Sequence, residues 1–220
     1  MISNKGSDPR GRADIPDDDI AEGTTTIGIT TEDAVVLATE RRASMGNLVA
    51  SKTAKKIYEI TDDAAITISG GVGDGQNLAK TLRVEANLYE TRRQKPITIN
   101  GLASMAGNIM RSFFFRVVPI MGGVDDEGPH IFTLDPAGGV MDQPYASTGS
   151  GSVIAYGVLE DNHHDDMTLE EAKNVTVRAL NSAMERDTAS GNGIMMATIT
   201  EEDGFKKVED EEIDEIADDI

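Results

Sequence analysis

The chain has 220 residues, enough for one domain with short tails and a sizeable core. It has no cysteine, so disulfides, thiol nucleophiles and thiolate metal sites are excluded. A net charge of −19, from 39 acidic and 20 basic side chains, leaves no basic stripe for phosphates and argues against nucleic acid as a partner.

Residues 1–23 are rich in Gly, Pro and Asp, without apolar periodicity, and read as a disordered leader. They lack the apolar stretch of a secretory signal, and Asp17-Asp18-Asp19 stands where one would be expected. No apolar run approaches the roughly 20 residues of a membrane span, so a soluble, cytoplasmic protein is expected. From Thr24 the pattern turns to strand. Thr25–Ile29 and Ala34–Thr39 flank a polar turn at Thr31-Glu32-Asp33, which predicts a hairpin. A second strand pair is expected over Ile57–Ile60 and Ala64–Ser69, broken by Gly70-Gly71-Val72-Gly73.

A helix follows from Asp74 to Arg93, with Leu78, Leu82, Ala86 and Tyr89 on one face. Another follows Pro96, where Leu102, Met105, Ala106, Ile109 and Met110 form the apolar stripe. Strands near Val117–Gly123, Pro129–Leu134 and Gly139–Ala146 come next. Two more helices are predicted, Ser152–Leu159 and one opened by the capping box Thr168-x-x-Glu171. In the latter Leu169, Ala172, Val175, Ala179 and Ala183 face inward. Strands at Gly193–Thr200 and Phe205–Val208 close the sheets around an Asp203-Gly204 turn. The acidic tail Glu209–Ile220 reads as frayed or disordered. Strands first, two helices, strands again, two helices, then strands is an α+β order unlike a βαβ parallel sheet. Two antiparallel sheets packed face to face, each covered by helices, satisfy it. The acids are spread along the chain, a pattern similar to salt-adapted proteins in which counterions screen self-repulsion.

The chemistry centres on Gly23-Thr24-Thr25-Thr26. Cleavage after Gly23 would leave Thr24 with a free α-amine, whose reference pKa of roughly 7.7–8.0 suits it as the base for its own hydroxyl. Without that cut the segment is only the start of a β-prone strand. Gly70, at a strand end, has a backbone N–H open to a substrate carbonyl, as an oxyanion donor requires. The glycine run there lacks the Gly-Lys-Ser/Thr ending of a phosphate loop. His163-His164-Asp165-Asp166 lacks a third ligand at metal-site spacing, and no metal or other cofactor is expected.

Thr-Thr-Thr-Ile-Gly-Ile from Thr24, Ala-Thr-Glu-Arg-Arg-Ala around Glu40, Lys56, Ser-Thr-Gly-Ser-Gly-Ser from Ser147 and Arg-Asp-Thr-Ala-Ser-Gly from Arg186 together resemble the catalytic β subunits of the archaeal 20S proteasome. The resemblance runs from Gly23 to about Asp203 and implies a four-layer αββα sandwich, the fold of N-terminal nucleophile hydrolases. It implies a threonine endopeptidase that degrades unfolded polypeptides, with 1–23 a propeptide removed by self-cleavage at Gly23-Thr24, 24–208 the catalytic domain and 209–220 a tail. In that reading Thr24 is the nucleophile, Lys56 lowers the proton affinity of its hydroxyl, and Glu40 orients Lys56. Asp187, Ser190 and Ser150 surround the Thr24 amine and hydroxyl. Ala43, Ala54, Ile68 and Val72 line the first substrate pocket, which suggests cleavage after large hydrophobic residues. The implied partners are proteasome α subunits, other β subunits in stacked heptameric rings, and indirectly an ATPase that feeds substrate. A ring subunit without turnover, or a hydrolase of small amides, are the alternatives that the residues leave open.

Overall fold

The computed structural model describes residues 23–113 and 115–220, so the leader expected at 1–23 lies, Gly23 apart, outside the described residues. The first hairpin forms as expected from β1 (Thr25–Thr30) and β2 (Ala34–Glu40). Its turn is closed by Thr31, whose N–H donates to the Ala34 carbonyl and whose Oγ1 accepts from the Ala34 N–H. A smaller hairpin, β3 (Ala43–Met45) and β4 (Leu48–Ser51), was not expected; it turns at Gly46. After β5 (Ile57–Thr61) and β6 (Ala64–Thr67) come the helices α1 (Val72–Arg93) and α2 (Ile99–Phe113). Asp125, from a distant hairpin, sets the start of α2: its Oδ2 accepts from the Ile99 N–H at 2.7 Å, satisfying a donor that the helix leaves open.

The chain continues through β7 (Ile120–Asp125), β8 (Gly128–Leu134), β9 (Val140–Asp142) and β10 (Tyr145–Gly149). The single strand expected at Gly139–Ala146 is therefore two. Pro144 interrupts it, having no N–H for a ladder, and the halves join different sheets. Helices α3 (Ser152–Asn162) and α4 (Leu169–Arg186) follow, α4 opened by the expected Thr168–Glu171 capping box. Strands β11 (Ile194–Thr200) and β12 (Gly204–Lys207) close the sheet system. The tail expected to fray forms a helix, α5 (Asp210–Asp218), with Ile213 buried.

One sheet runs β10-β1-β2-β11-β12 and the other β5-β6-β7-β8-β9, with every neighbour antiparallel. Three apolar clusters match three interfaces between four layers. Between the sheets lie Val35, Leu37, Ala65, Ile120, Ile131 and Ile199. Outside the first sheet, Ile27, Ile29, Val36 and Ala38 meet Leu159 of α3 and Val177 and Leu180 of α4. Outside the second, Ile66, Met121 and Phe132 meet Leu78 and Leu82 of α1 and Leu102 and Met110 of α2. The αββα sandwich is the fold of the chain. Because β2 is covered on both faces, residues 34–38 form an unbroken apolar run, Val35 and Leu37 facing the other sheet and Val36 and Ala38 the helices. Gly28 and Gly122 leave room between the sheets for Ile131, since a Cβ on either would come within 3.0 Å of its Cδ1.

Candidate active site

Thr24 immediately precedes β1, a strand held on both sides by β10 and β2, whose ladders begin at Thr25 and Thr26. It is 5% exposed. Its N–H donates to Ser150 Oγ at 3.3 Å, and its own Oγ1 donates to the Gly23 carbonyl at 2.5 Å. Ser150 Oγ in turn lies 2.5 Å from Asp187 Oδ2, to which it donates. Ser190 donates to the same oxygen at 2.7 Å and shares a 2.7 Å hydrogen bond with Thr25 Oγ1. Asp187 is the C-cap of α4, its backbone N–H bonded to the Ala183 carbonyl, and Oδ1 accepts from the Ala189 N–H at 3.2 Å. The helix end thus sets the carboxylate, and the carboxylate sets two hydroxyls beside Thr24.

Lys56 and Glu40 supply the buried charges. Their side chains are 5% and 0% exposed, and Nζ forms a close ion pair with Glu40 Oε1. Nζ also donates to the Arg42 carbonyl. Glu40 accepts three backbone N–H groups as well: Thr25 at 3.3 Å, Arg42 at 2.6 Å and Gly191 at 3.1 Å. Burial pushes the Lys56 ammonium below its ordinary value, opposed mainly by the Glu40 charge and its hydrogen bond. Burial likewise pushes the Glu40 carboxyl up, against the pull of Lys56 and the backbone donors. An ammonium that gives up its proton more readily than a surface lysine is suited to proton exchange beside a nucleophile.

Gly70 pairs with Val117 in an isolated antiparallel bridge. The bonds across it are Val118 N–H to Ser69 and Gly71 N–H to Arg116, both 2.9 Å, so Gly70 belongs to the non-bonded pair and its N–H points away from that neighbour. Thr24 and Gly70 line one cleft. With φ +104 and the Arg116 carbonyl 2.5 Å from where a Cβ would stand, no side chain is tolerated at this position. Gly23 is equally constrained: at φ +132, a Cβ would fall 2.1 Å from Ala189 Cβ and 2.6 Å from Ser44 Oγ.

The cleft is small and lined by Gly23, Thr24, Ala43, Lys56, Ile68, Gly70 and Val72, with Lys55 and Tyr58 added. Ala54, expected in the pocket, is not among its lining residues. Tyr58 had a visible signal, since it lies two residues beyond Lys56 on β5, but alternation alone does not say which face of β5 meets the cleft. Larger cavities lie elsewhere; one, lined by Asp63, Asp125, Asp126, Glu127 and Glu201, sits where the β7–β8 turn ends the second sheet, opposite its Gly70 end. At the same turn Asp125, Glu127 and His130 bring ligand atoms within 4.8 Å of one another, although Asp125 already caps α2 and receives the Glu127 N–H. His163 and His164 join no such group among the described residues.

The profile of the family described as "Proteasome subunit" matches residues 20–199. The "Proteasome subunit beta" of Methanobrevibacter smithii is 50% identical over 200 residues, which is 91% of this chain and 98% of that protein. That of Methanothermobacter thermautotrophicus is 52% identical over 200 residues, 90% of this chain and 95% of the relative. That of Halorhabdus utahensis is 52% identical over 198 residues, 89% and 83% of the two chains.

Proposed function

The chain belongs to the proteasome subunit family, as a β subunit of the core, and from that premise and the surroundings of Thr24 we propose that it is a threonine-type endopeptidase that frees its own nucleophile. The observation that carries the reading is the convergence on Thr24. Its hydroxyl is bonded to the Gly23 carbonyl, its nitrogen leads through Ser150 to Asp187, and a buried Lys56–Glu40 pair shares the site. In the first reaction Thr24 Oγ attacks the Gly23 carbonyl carbon while a water takes the hydroxyl proton. The C–N bond breaks, the nitrogen is protonated, and an ester joins Gly23 to Oγ. Water then hydrolyses the ester, leaving a Gly23 carboxylate and a free Thr24 amine.

In turnover the amine takes the Oγ proton as Oγ attacks a substrate carbonyl, then returns it to the leaving nitrogen. The Gly70 N–H donates to the oxyanion, a contribution of about 2.7–4 kcal/mol for one such donor. The Lys56 ammonium stabilises the developing alkoxide, and Asp187 with Ser150 and Ser190 orients the amine. The acyl-enzyme is released by water. Small apolar groups at Ala43, Ile68 and Val72 suit a large hydrophobic side chain before the scissile bond.

A family of proteasome subunits implies assembly with other subunits. Apolar side chains left outside support this: Leu48 is 61% exposed on the β3–β4 hairpin and Val153 is 81% exposed on α3. In our reading the partners are α subunits and further β subunits in stacked heptameric rings, served by an ATPase that unfolds substrate. The test is the intact mass of the chain co-expressed with an α subunit in high salt, for wild type and Thr24→Ala. The expected wild-type mass begins at Thr24, while the variant keeps its leader and hydrolyses no peptide. A full-length wild-type chain in an assembled particle, or normal processing of the variant, would overturn the mechanism in favour of a ring subunit without turnover.

A further inference from the structure

Arg42 stands between the two halves of the site and touches both. Its backbone belongs to the half that holds the buried charges: its N–H donates to Glu40 Oε2 at 2.6 Å, and its carbonyl accepts from Lys56 Nζ. Its side chain leaves that half and crosses to the segment after α4. There Nε donates to Asn192 Oδ1 at 2.9 Å and Nη1 to the Thr188 carbonyl at 2.7 Å. Between those anchors lies Gly191, whose N–H donates to Glu40 Oε2 at 3.1 Å. The guanidinium packs so closely on it that a Cβ there would stand 2.4 Å from Nη2. Asn192 is held at φ 68, a left-handed conformation that a residue other than glycine keeps only when its surroundings impose it.

The segment gripped in this way carries Ser190 and follows directly on Asp187. Ser190 reaches Thr25 Oγ1 at 2.7 Å, and both Ser150 and Ser190 donate to Asp187 Oδ2. We propose that Arg42 is a positioning residue of the hydrolytic reaction: its fork locks residues 188–192 against the Glu40–Lys56 pair, so that Asp187, acting on Thr24 through Ser150, and Ser190, bonded to the neighbouring Thr25, are held in register with the lysine. This rests on the peptidase reading above. Arg42 is not among the residues lining the cleft, so its effect reaches substrate only through the groups it places. Arginine suits the task because its planar group holds two separated donors in fixed directions, whereas a lysine ammonium is a single rotating point of donation. Its charge has a second consequence at Lys56. There burial is the largest influence, Glu40 and Asp187 favour the proton, and Arg42 works against it.

The experiment measures kcat and KM on particles assembled with an α subunit, the β chain expressed to begin at Thr24 so that leader removal does not enter. Wild type is compared with Arg42→Gln, Arg42→Lys, Asn192→Ala and Ser190→Ala, and with the Arg42→Gln/Ser190→Ala pair. We expect Arg42→Gln to lower kcat roughly 10- to 100-fold, the scale of a misplacement near 1 Å, with KM little changed. Arg42→Lys should remain well below wild type, and Asn192→Ala should show a smaller loss of the same kind. In the Ser190→Ala background the cost of Arg42→Gln should shrink, because part of what Arg42 positions is already gone. An unchanged kcat, a loss confined to KM, a full multiplication of the two losses in the pair, or wild-type turnover in Arg42→Lys would each overturn the proposal. If Arg42→Gln does not assemble, Arg42→Lys and Asn192→Ala decide it by the same criteria. An inactive wild-type particle would instead overturn the peptidase reading beneath it.

Discussion

Glu40 is fully buried and, among the described residues, Lys56 is the cation paired with it, so under the proposed mechanism Lys56 has a structural and a chemical duty that mutation can separate. Lys56→Ala should abolish measurable turnover and also destabilise the chain, by about 3–5 kcal/mol or somewhat less, because an unpaired buried carboxylate is left behind. The three backbone N–H groups on Glu40 moderate that loss. Lys56→Ala/Glu40→Gln should recover much of the stability and none of the activity; denaturant midpoints beside peptidase rates check both. Recovery of activity in the pair would remove Lys56 from the chemistry. At this scale the family resemblance singled out Thr24, Glu40, Lys56 and Asp187, and the fold brings these four side chains to one place, the roles proposed for them being what the variants test. The sequence was less legible where only packing decides. Ala54 and Tyr58 exchanged places in the expected pocket lining, and Arg42 in an Arg-Arg pair looks like a surface charge until its fork is seen on Thr188 and Asn192.

Among the elements, most strands and helices were readable, while the β3–β4 hairpin, the break at Pro144 and α5 were not. β9 and β10 looked like one strand because apolar residues flank Gln143-Pro144, and only the sheet order separates them. In α5 the signal was Ile213, Ile216 and Ala217 at helical spacing, hidden among acids that resemble a solvated tail. Two ion pairs dock those acids: Asp210 with Arg41, and Glu212 with Lys173, whose amine also meets Glu170 at 2.8 Å. The hydrogen bond from Arg41 holds the Asp210 carboxyl below its usual range. Its contribution is therefore present above the free carboxylate pKa, near 3.9, and is lost as pH falls through the lower folded value. Burial pushes the Lys173 amine down, but Glu170 and Glu212 outweigh it and the amine ends above its ordinary value. That contribution is whole below about pH 10 and fades as pH rises through the folded value. Helix α5 should thus stay docked across neutral pH and loosen at both extremes, as amide exchange over 210–218 would report. Ile213→Ala, removing a buried side chain, should cost about 2 kcal/mol or more and speed that exchange at pH 7; unchanged exchange would mean that the ion pairs alone hold the helix.

For the whole molecule, acidity is spread along the chain but densest over 209–220, where eight acids meet no base, and it is felt at particular places. Burial raises the Asp63 carboxyl, and Asp62, Glu90 and Asp125 raise it further by like-charge repulsion. With −19 charges on 220 residues, salt should stabilise the chain. Thermal midpoints should rise as KCl is increased from about 0.1 M to about 2 M, where the screening length falls to a few ångströms; a flat profile would count against salt adaptation. The sandwich itself was foreseeable from element order, since two sheets buried on both faces leave few other layer arrangements. What the order did not show is how far apart in the chain the site's parts are. Thr25 and Ser190 touch across 165 positions, and Thr24 meets Ser150 across 126. The ribosome adds Asp187 and Ser190 more than 160 residues after Thr24. In the proposed mechanism a nascent molecule that has reached Thr24 but not Asp187 therefore carries the nucleophile without the groups that orient its amine, and such a peptidase has no finished site to turn on its neighbours until the end of α4 is made.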